Sequence, residues 1–190
     1  ELAPEDVFGA RLKLALMGAA ETPAQPPSRY VEGLFDDYAE RFDKALVEKL
    51  EYSVPQKLAA LVPTHAPFNT VVDLGCGTGL FGAEIRSGAS RLEGFDLSVN
   101  MLAKAVAKGL YDHLGQADLS LPASESGLFA DGLARHRADL VSAADVLMYL
   151  GSLETVFPLV VDLVKPRGLF AFSVEDAREG ATCLLYTSDA

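Results

Sequence analysis

Apolar residues recur in two different rhythms along this chain. Near the N-terminus they return every three or four positions, which predicts helices over residues 4–19 and 29–51 and a shorter helix around Val54–Leu61. The first two helices are separated by residues 22–28, a segment with three prolines that is typical of a linker. The N-terminal part is therefore expected to be helical, with a linker that separates the first helix from the rest of the chain.

After the third helix, short β-branched runs alternate with helical segments. The expected strands are Asn69–Leu74, Arg91–Phe95, a weak strand near Leu110–Gln116, Ala138–Ala143 and Leu169–Val174. The expected helices are Leu80–Ser87, Ser98–Lys108 with Ser98 as N-cap, 125–136, and Ser152–Val164 with a kink at Pro158. Strands that alternate with helices form a parallel sheet with right-handed crossovers, so the pattern predicts a doubly wound, Rossmann-like, mostly parallel α/β fold with N-terminal helices.

Charge and composition narrow the classes of partner. The chain has 27 acidic and 16 basic residues and a net charge of −11, which disfavours nucleic acids and anionic membranes. It shows no run of about 20 apolar residues and no leader pattern. Two distant cysteines, Cys76 and Cys183, form neither a disulfide framework nor a metal motif. We therefore expect a cytoplasmic protein without a metal, acting on a small molecule or a protein.

The glycine-rich segment Asp73–Gly79 follows the first strand and precedes a helix. Its three glycines permit a tight turn and a close approach of the backbone to a ligand, and the helix after them offers free N–H groups. Asp96 ends the next strand, where a carboxylate can accept both hydrogen bonds of a ribose diol. This combination predicts a nucleoside-containing cofactor.

Two nucleoside cofactors compete for this loop. A dinucleotide fingerprint, G-x-G-x-x-G, requires glycine at position 80, where Leu80 stands. Asp73 would repel a pyrophosphate, but it would attract the ammonium group of S-adenosylmethionine (SAM). The residues favour SAM, while a nicotinamide or flavin nucleotide, or a tight turn without a ligand, are the alternatives.

The segment Val71–Leu80 resembles motif I of the class I SAM-dependent methyltransferases. Further segments, within a resemblance that spans Tyr30–Asp176, match the family's later motifs: Gly94–Leu102, Gln116–Leu119, Ala143–Leu147 and Lys165–Leu169. In the last of these the family usually has glycine where Arg167 stands. The resemblance implies the family's fold and SAM as the cofactor.

The resemblance also implies a set of cofactor contacts. Asp96 would hold the ribose, Asp118 the adenine amino group, and Cys76 would act through its backbone. Tyr38 belongs to an aromatic-rich helix that resembles those that fold over the cofactor, whereas Phe42 is expected to pack in the core. The full set of predicted cofactor residues is Asp73, Gly75, Cys76, Gly77, Gly79, Asp96, Leu97, Met101, Ala117, Asp118, Ala144 and Tyr38.

The finer resemblance is to bacterial methyltransferase domains that follow tetratricopeptide repeats. It implies that residues 1–21 are a remnant of a helical repeat, 22–28 a linker, 29–176 the methyltransferase domain and 177–190 a non-native or disordered tail. The family's sheet has seven strands. The fourteen residues after 176 are too few for a helix and two more strands, so we expect the sheet to end at an exposed fifth strand.

These observations predict an enzyme that methylates a small molecule or, as the less favoured acceptor, a protein. No catalytic residue can be assigned, because the methyl group of SAM is already activated and a base is needed only for a protonated acceptor. Asp145 and Tyr149 are the first candidates to face the acceptor; Asp145 could instead be a cofactor contact or helix N-cap, and Tyr149 could be packing. The alternatives are a SAM-binding module without turnover and an interaction protein that works through its N-terminal helices.

Overall fold

The computed structural model describes residue 6 and residues 9–43, 52–62 and 67–175. Within them five parallel strands form one sheet in the order β3-β2-β1-β4-β5. The strands are β1 (Phe68–Leu74), β2 (Ala89–Asp96), β3 (His113–Gln116), β4 (Ala138–Ala143) and β5 (Val164–Phe172). The strand order reverses between β1 and β4, and ligands of doubly wound sheets bind at the carboxyl ends of strands at such a point.

The helices are α1 (Ala10–Leu16), α2 (Ser28–Tyr38), α3 (Val54–Leu61), α4 (Leu80–Ile85), α5 (Val99–Lys108) and α6 (Val156–Leu163). Successive residues of the central strands point to opposite faces of the sheet, so each strand contributes to two apolar cores. Val71 and Leu140 pack with α3 and α4 residues on one face, whereas Val72 and Val141 pack with α6 residues on the other. Burial on both faces explains why the centres of β1 and β4 carry consecutive apolar residues, Val71–Val72 and Leu140–Val141. The predicted doubly wound α/β fold is confirmed.

The N-terminal helices are shorter than the periodicity suggested. The Asp6 carboxylate caps α1 by accepting the Ala10 and Arg11 amides at 2.7 and 3.0 Å. Helix α2 ends at Tyr38, and residues 39–41 turn the chain toward the sheet. The remainder of the two predicted helices, residues 4, 5, 7, 8 and 44–51, lies outside the described residues, so the repeat origin of residues 1–21 stays a prediction.

The prediction of a helix over residues 125–136 is wrong. This segment forms only a 3₁₀ turn at Ala130–Gly132, because Gly127, Asp131 and Gly132 have φ values of 86°, 55° and 78°. Such left-handed residues interrupt a right-handed helix. A Cβ on Gly127 would lie 2.4 Å from the backbone oxygen of Gln116, so the chain approaches β3 too closely for any other residue.

Helix α6 and strand β5 also differ from expectation. Helix α6 begins at Val156, not at Ser152, and Pro158 lies in its first turn, where its missing N–H costs no hydrogen bond and produces no kink. Strand β5 begins at Val164 because the expected turn at Lys165–Gly168 forms an irregularity within the strand. Arg167, which stands where the family usually has glycine, has a φ of 68°.

Strand β5 is paired only with β4 among the described residues, and its Leu169 and Phe172 are each 39% exposed. The predicted tail, residues 177–190, lies outside the described part of the chain, as do Cys183 and His65. None of the helices in the described ranges is long and apolar enough to span a membrane.

Candidate functional site

The glycine-rich loop lies at the carboxyl end of the central strand β1. Gly75, Gly77 and Gly79 have φ values of 62°, 53° and 90°, which residues with a Cβ rarely adopt. The Cys76 amide donates to the Phe95 carbonyl at 3.0 Å, which ties the loop to the end of β2. The sequence therefore forms a loop whose backbone, rather than its side chains, lines the switch point.

Two of these glycines face different surroundings. A Cβ on Gly75 would lie 2.3 Å from Val146, so Gly75 allows the loop to pack against the segment after β4. A Cβ on Gly77 would meet only Phe42, at 3.9 Å. The space above Gly77 is thus open, as a ligand that approaches the backbone requires.

Asp96, at the end of β2, is bound to the loop through both carboxylate oxygens. Its Oδ2 accepts the Gly77 amide and its Oδ1 accepts the Ser98 amide, each at 2.8 Å. Burial raises the pKa of Asp96 to about 6, although these amide hydrogen bonds oppose the increase. Each oxygen has a second lone pair, so the carboxylate can still accept two hydroxyl groups of a ligand.

Asp73, at the end of β1, is fully buried beneath the loop. Its Oδ2 accepts the Tyr111 hydroxyl at 2.7 Å and its Oδ1 accepts the Ser142 hydroxyl at 2.8 Å. Burial raises the pKa of Asp73 to about 7, and the negative charge of Asp96 adds to the increase. A buried carboxylate whose hydrogen-bond donors are two hydroxyl groups is suited to receive a cation from a ligand.

A cavity of about 330 Å³, including its open mouth, lies against the loop. It brings together five of the predicted cofactor residues: Asp73, Gly75, Cys76, Gly77 and Ala144. It is also lined by residues that were not predicted: Phe42, Tyr52, Pro55, Thr78, Leu80 and Phe81. The thiol of Cys76 is buried, and burial raises its pKa well above the ordinary value, which agrees with a role for its backbone rather than its sulfur.

The segment after α2 covers one side of the loop. Asp43 accepts a hydrogen bond from the Thr78 hydroxyl, and its other oxygen pairs with Lys108 at 2.7 Å. On α2 itself, Asp36 accepts the Ser98 hydroxyl at 2.5 Å and the Asn100 amide at 3.2 Å. These bonds attach the N-terminal segment to the glycine loop and to the start of α5.

The two aromatic residues of this cover contact each other. Phe42, expected in the core, lines the cavity, and Tyr38 packs edge-on against Phe42 with ring centroids 5.4 Å apart. The turn at residues 39–41 removes Phe42 from the helical stripe that Tyr38 occupies. The cofactor contact of Tyr38 stays a prediction.

The remaining predicted contacts lie along the ends of β2 and β3. The Ala117 amide donates to the Asp96 carbonyl at 2.9 Å, which places Asp118 next to the β2 end. Asp118 Oδ1 accepts the Ser120 hydroxyl at 2.6 Å, and the Leu97 carbonyl accepts the Gln116 side chain at 2.9 Å. Met101 is different: its side chain is 1% exposed and belongs to the core.

On the acceptor side, Asp145 has a φ of 55°, a strained conformation that is common at functional sites. Its Oδ1 accepts the Ser173 hydroxyl at 2.5 Å. Burial, followed by a hydrogen bond with Asp145, raises the pKa of the Tyr52 hydroxyl far above its ordinary value. Tyr149, the other predicted residue, packs its ring against Phe35 at 5.0 Å, in line with the packing alternative.

Sequence reasoning missed Tyr52 and Tyr111. Nothing in the sequence near Tyr52 marks it. Gly82 and Gly94 are an indirect signal for Tyr111. Glycine weakens a helix or a strand, and the sequence shows no local reason for glycine at these two positions. As for metals, the described residues contain no group of three or more His, Cys, Asp or Glu side chains that could hold an ion.

Comparison with known proteins adds a family match. A family model described as a methyltransferase domain matches residues 46–184. Among solved structures, an S-adenosylmethionine-dependent methyltransferase from Mesorhizobium loti is 32% identical, with a TM-score of 0.50, and the match covers 62% of this chain and 50% of that one.

Two curated relatives extend the comparison. The malonyl-[acyl-carrier protein] O-methyltransferase of Pectobacterium atrosepticum is 27% identical over 142 residues, which are 74% of this chain and 48% of the relative. The trans-aconitate 2-methyltransferase of Delftia acidovorans is 34% identical over 128 residues, which are 66% of this chain and 45% of the relative. The chain thus spans less than half the length of these relatives.

Proposed function

The chain belongs to the methyltransferase domain family, with the class I SAM-dependent fold, and we propose that it binds SAM beside the glycine loop and transfers the methyl group to a small-molecule acceptor. The observation that carries the proposal is the Gly77–Asp96 hydrogen bond, which joins the carboxyl ends of β1 and β2 beside the β1/β4 switch point. It joins a loop that approaches a ligand by its backbone to the carboxylate that a ribose diol requires.

The residues of the site fit the parts of SAM. Asp73 beneath the loop supplies a negative charge for the ammonium group of the methionine moiety, and the open space above Gly77 admits it. Asp96 supplies acceptors for the ribose. Leu97, Ala117 and Asp118 border the neighbouring strand ends, where the adenine would lie.

When bound, SAM would supply a methyl group on a sulfonium sulfur. A nucleophile of the acceptor attacks the methyl carbon in line with the bond to the sulfur, which is the leaving group. The new bond between the acceptor atom and the methyl carbon forms as the sulfur–carbon bond breaks, and the sulfur retains the electron pair as a neutral thioether. The protein's residues therefore have to orient the two reactants and exclude water. The cover formed by Phe42 and Asp43 over the loop supports the second role.

The proposal of a small-molecule acceptor rests on charge and on the relatives. The acidic chain is unsuited to nucleic acid, and the two relatives are named as methyltransferases of malonyl-[acyl-carrier protein] and of trans-aconitate. Tyr52 and Asp145 are the polar groups to test on the acceptor side.

Titration calorimetry with SAM and with its demethylated product tests cofactor binding. We expect micromolar affinity for the wild type and loss of binding in Asp96→Ala. Asp131→Asn is the matched control, because Asp131 is exposed on a distant turn and asparagine tolerates its positive φ. Failure of the folded wild type to bind would refute the proposal.

Turnover is measured separately, as transfer of labelled methyl from SAM to panels of carboxylic acids, phenols and amines. Product in one panel that disappears in Asp96→Ala would establish methyl transfer. Binding without product in any panel would instead favour a SAM-binding module.

A further inference from the structure

Tyr111 lies in the connection between α5 and β3, outside every segment of the sequence that resembles a family motif. Its hydroxyl crosses to the end of β1 and donates to Oδ2 of Asp73 at 2.7 Å. Burial raises the pKa of this hydroxyl far above its ordinary value, so it remains a donor at any pH at which the protein is folded.

The ring of Tyr111 occupies a space made by three glycines from three different elements. A Cβ added to Gly82 in α4 would lie 2.3 Å from the Tyr111 hydroxyl. A Cβ added to Gly94 in β2 would lie 2.7 Å from the ring, and one added to Gly79 in the loop 3.0 Å from it. Gly79 needs its positive φ, but Gly82 and Gly94 have no such need. The ring excludes a side chain at both positions, and at Gly94 the Leu114 side chain does so too, 2.8 Å from a Cβ.

The register of the sheet completes the arrangement. Gly94 is the partner of Asp73 on β2, and Ser142 is its partner on β4. Tyr111 passes over Gly94 to reach one carboxylate oxygen, and Ser142 reaches the other. The carboxylate is thus held from both neighbouring strands, and its orientation does not depend on solvent.

We propose that Tyr111 is a positioning residue of the cofactor site, which holds the Asp73 carboxylate in place for the ligand's ammonium group and supports the glycine loop through Gly79. This inference rests on the proposed function, because it assigns the ammonium group of SAM to Asp73. In this role the Tyr111 hydroxyl positions the Asp73 carboxylate and the Tyr111 ring supports the loop. Replacement by phenylalanine removes the hydroxyl and keeps the ring, so it tests the first contribution alone.

The charge state of Asp73 supplies a readout that simple packing would not change. The groups that face Asp73 are Tyr111, Ser142, Cys76, Asp96 and Tyr52. The Tyr111 and Ser142 hydrogen bonds lower its pKa, against the burial and the Asp96 charge that raise it. Loss of the Tyr111 hydroxyl therefore raises the pKa of Asp73 and leaves less carboxylate to bind a cation at neutral pH.

The experiment is SAM titration calorimetry from about pH 6 to about pH 9 on wild type, Tyr111→Phe and Asp131→Asn. Asp131→Asn is the control, because Asp131 is exposed and does not line the cavity beside the loop. We expect about tenfold weaker binding for Tyr111→Phe at pH 7, with a smaller deficit at high pH, and an unchanged Asp131→Asn. The ligand's own titration is common to all three proteins and cancels in the comparison.

A double-mutant cycle keeps the inference testable if the loop itself shifts. In Asp73→Asn protein, Tyr111→Phe should cause no further loss of the residual affinity, since the hydroxyl acts through the carboxylate. Equal affinity and equal pH profiles of wild type and Tyr111→Phe would overturn the inference while leaving the proposed function intact. Absence of binding by the folded wild type would overturn the proposed function first, and the inference with it.

Discussion

The amide of Gly77 and the carboxylate of Asp96 lie 19 positions apart in sequence and meet at 2.8 Å across the ends of β1 and β2. The same carboxylate accepts the Ser98 amide through its other oxygen, so it joins the glycine loop to the start of α5. Asp96 therefore stabilises the loop as well as presenting oxygens to a ligand. Both partners are backbone N–H groups, which can only donate.

Asp96→Asn is expected to be destabilising although it changes few atoms. Whichever way the amide is oriented, its NH₂ group faces the N–H of Gly77 or of Ser98, and one donor loses its acceptor. The cost of an unsatisfied buried donor is about 1–3 kcal/mol in the free energy of unfolding. Denaturant unfolding at pH 8 measures it; a loss below about 0.5 kcal/mol would contradict the assignment of these hydrogen bonds.

Asp73→Asn provides the contrasting case, because both partners of Asp73 are hydroxyl groups. Tyr111 can still donate to the amide oxygen, and the Ser142 hydroxyl can rotate to accept from the NH₂ group. The folded state should therefore tolerate asparagine while SAM binding is weakened but still measurable. Unfolding and calorimetry on the same protein check both parts; a variant that binds SAM normally would contradict the role of Asp73.

The free energy of unfolding should decrease as the pH rises from about 4 to about 7. The pKa of Asp73 is raised to about 7 and that of Asp96 to about 6, in both cases mainly by burial, whereas both groups titrate near pH 4 when unfolded. Between these values the folded chain binds more protons than the unfolded chain, so the free energy of unfolding falls with increasing pH.

The contribution of Asp73 to this slope is at most about 4 kcal/mol, from a shift of about three pKa units. The pKa of Asp112 is lowered by its hydrogen bond with Arg86, and that of Asp139 by its hydrogen bond with Lys165. These two groups therefore change the free energy of unfolding only in the acid range. Unfolding of wild type and Asp73→Asn from about pH 5 to about pH 8 tests the sign. We expect a shallower slope in the variant, and an equal slope would be evidence against a raised pKa at Asp73.

The effect of Gly82→Ala on the free energy of unfolding should change sign with the identity of residue 111. In the wild type the new methyl group would meet the Tyr111 hydroxyl at 2.3 Å, so we expect a loss of about 1–3 kcal/mol. In a Tyr111→Ala background the space is free, and alanine should stabilise α4 by up to about 1 kcal/mol.

The four proteins of this cycle are compared by urea unfolding. Gly88→Ala is the control, because a Cβ there meets nothing within 4 Å and the effect should not depend on residue 111. A destabilisation by Gly82→Ala of the same size in both backgrounds would show that the ring does not fill this space.

Arg167→Gly should stabilise the protein. Arg167 is exposed and has a φ of 68°, and a left-handed conformation costs a residue with a Cβ about 1–2 kcal/mol. Glycine removes this strain but loses more chain entropy on folding, so we expect a net gain of about 0.5–1 kcal/mol. The rise in thermal midpoint should be a few degrees.

Arg167→Ala separates the backbone effect from the side chain, since alanine retains the strain and loses the guanidinium. Its stability should stay within about 0.5 kcal/mol of wild type. If alanine stabilised the chain as much as glycine, the gain would come from the lost side chain and not from the backbone.

Several features of the fold were predictable because their signals are local. Strand β4 was predicted with the bounds it has, Ala138–Ala143, since its mainly apolar composition is a local signal. Ser98 caps α5 by accepting the Met101 amide at 3.0 Å, as its position before the helix indicated. The failures occurred where distant contacts or backbone strain intervene, as at Gly127, which a close approach to β3 holds in a non-helical conformation.

The sequence by itself determined the family and the place of the cofactor loop, because glycine spacing, strand, loop and the next acid are neighbours along the chain. The tertiary structure alone decided the strand order, the position of Phe42 over the loop, and the contact of Tyr111 with Asp73. These depend on pairs of residues that are far apart in sequence, and Asp73 and Tyr111 are 38 positions apart. No local sequence pattern predicts such a contact. The contact arises only when the sheet has formed and its strands have taken their register.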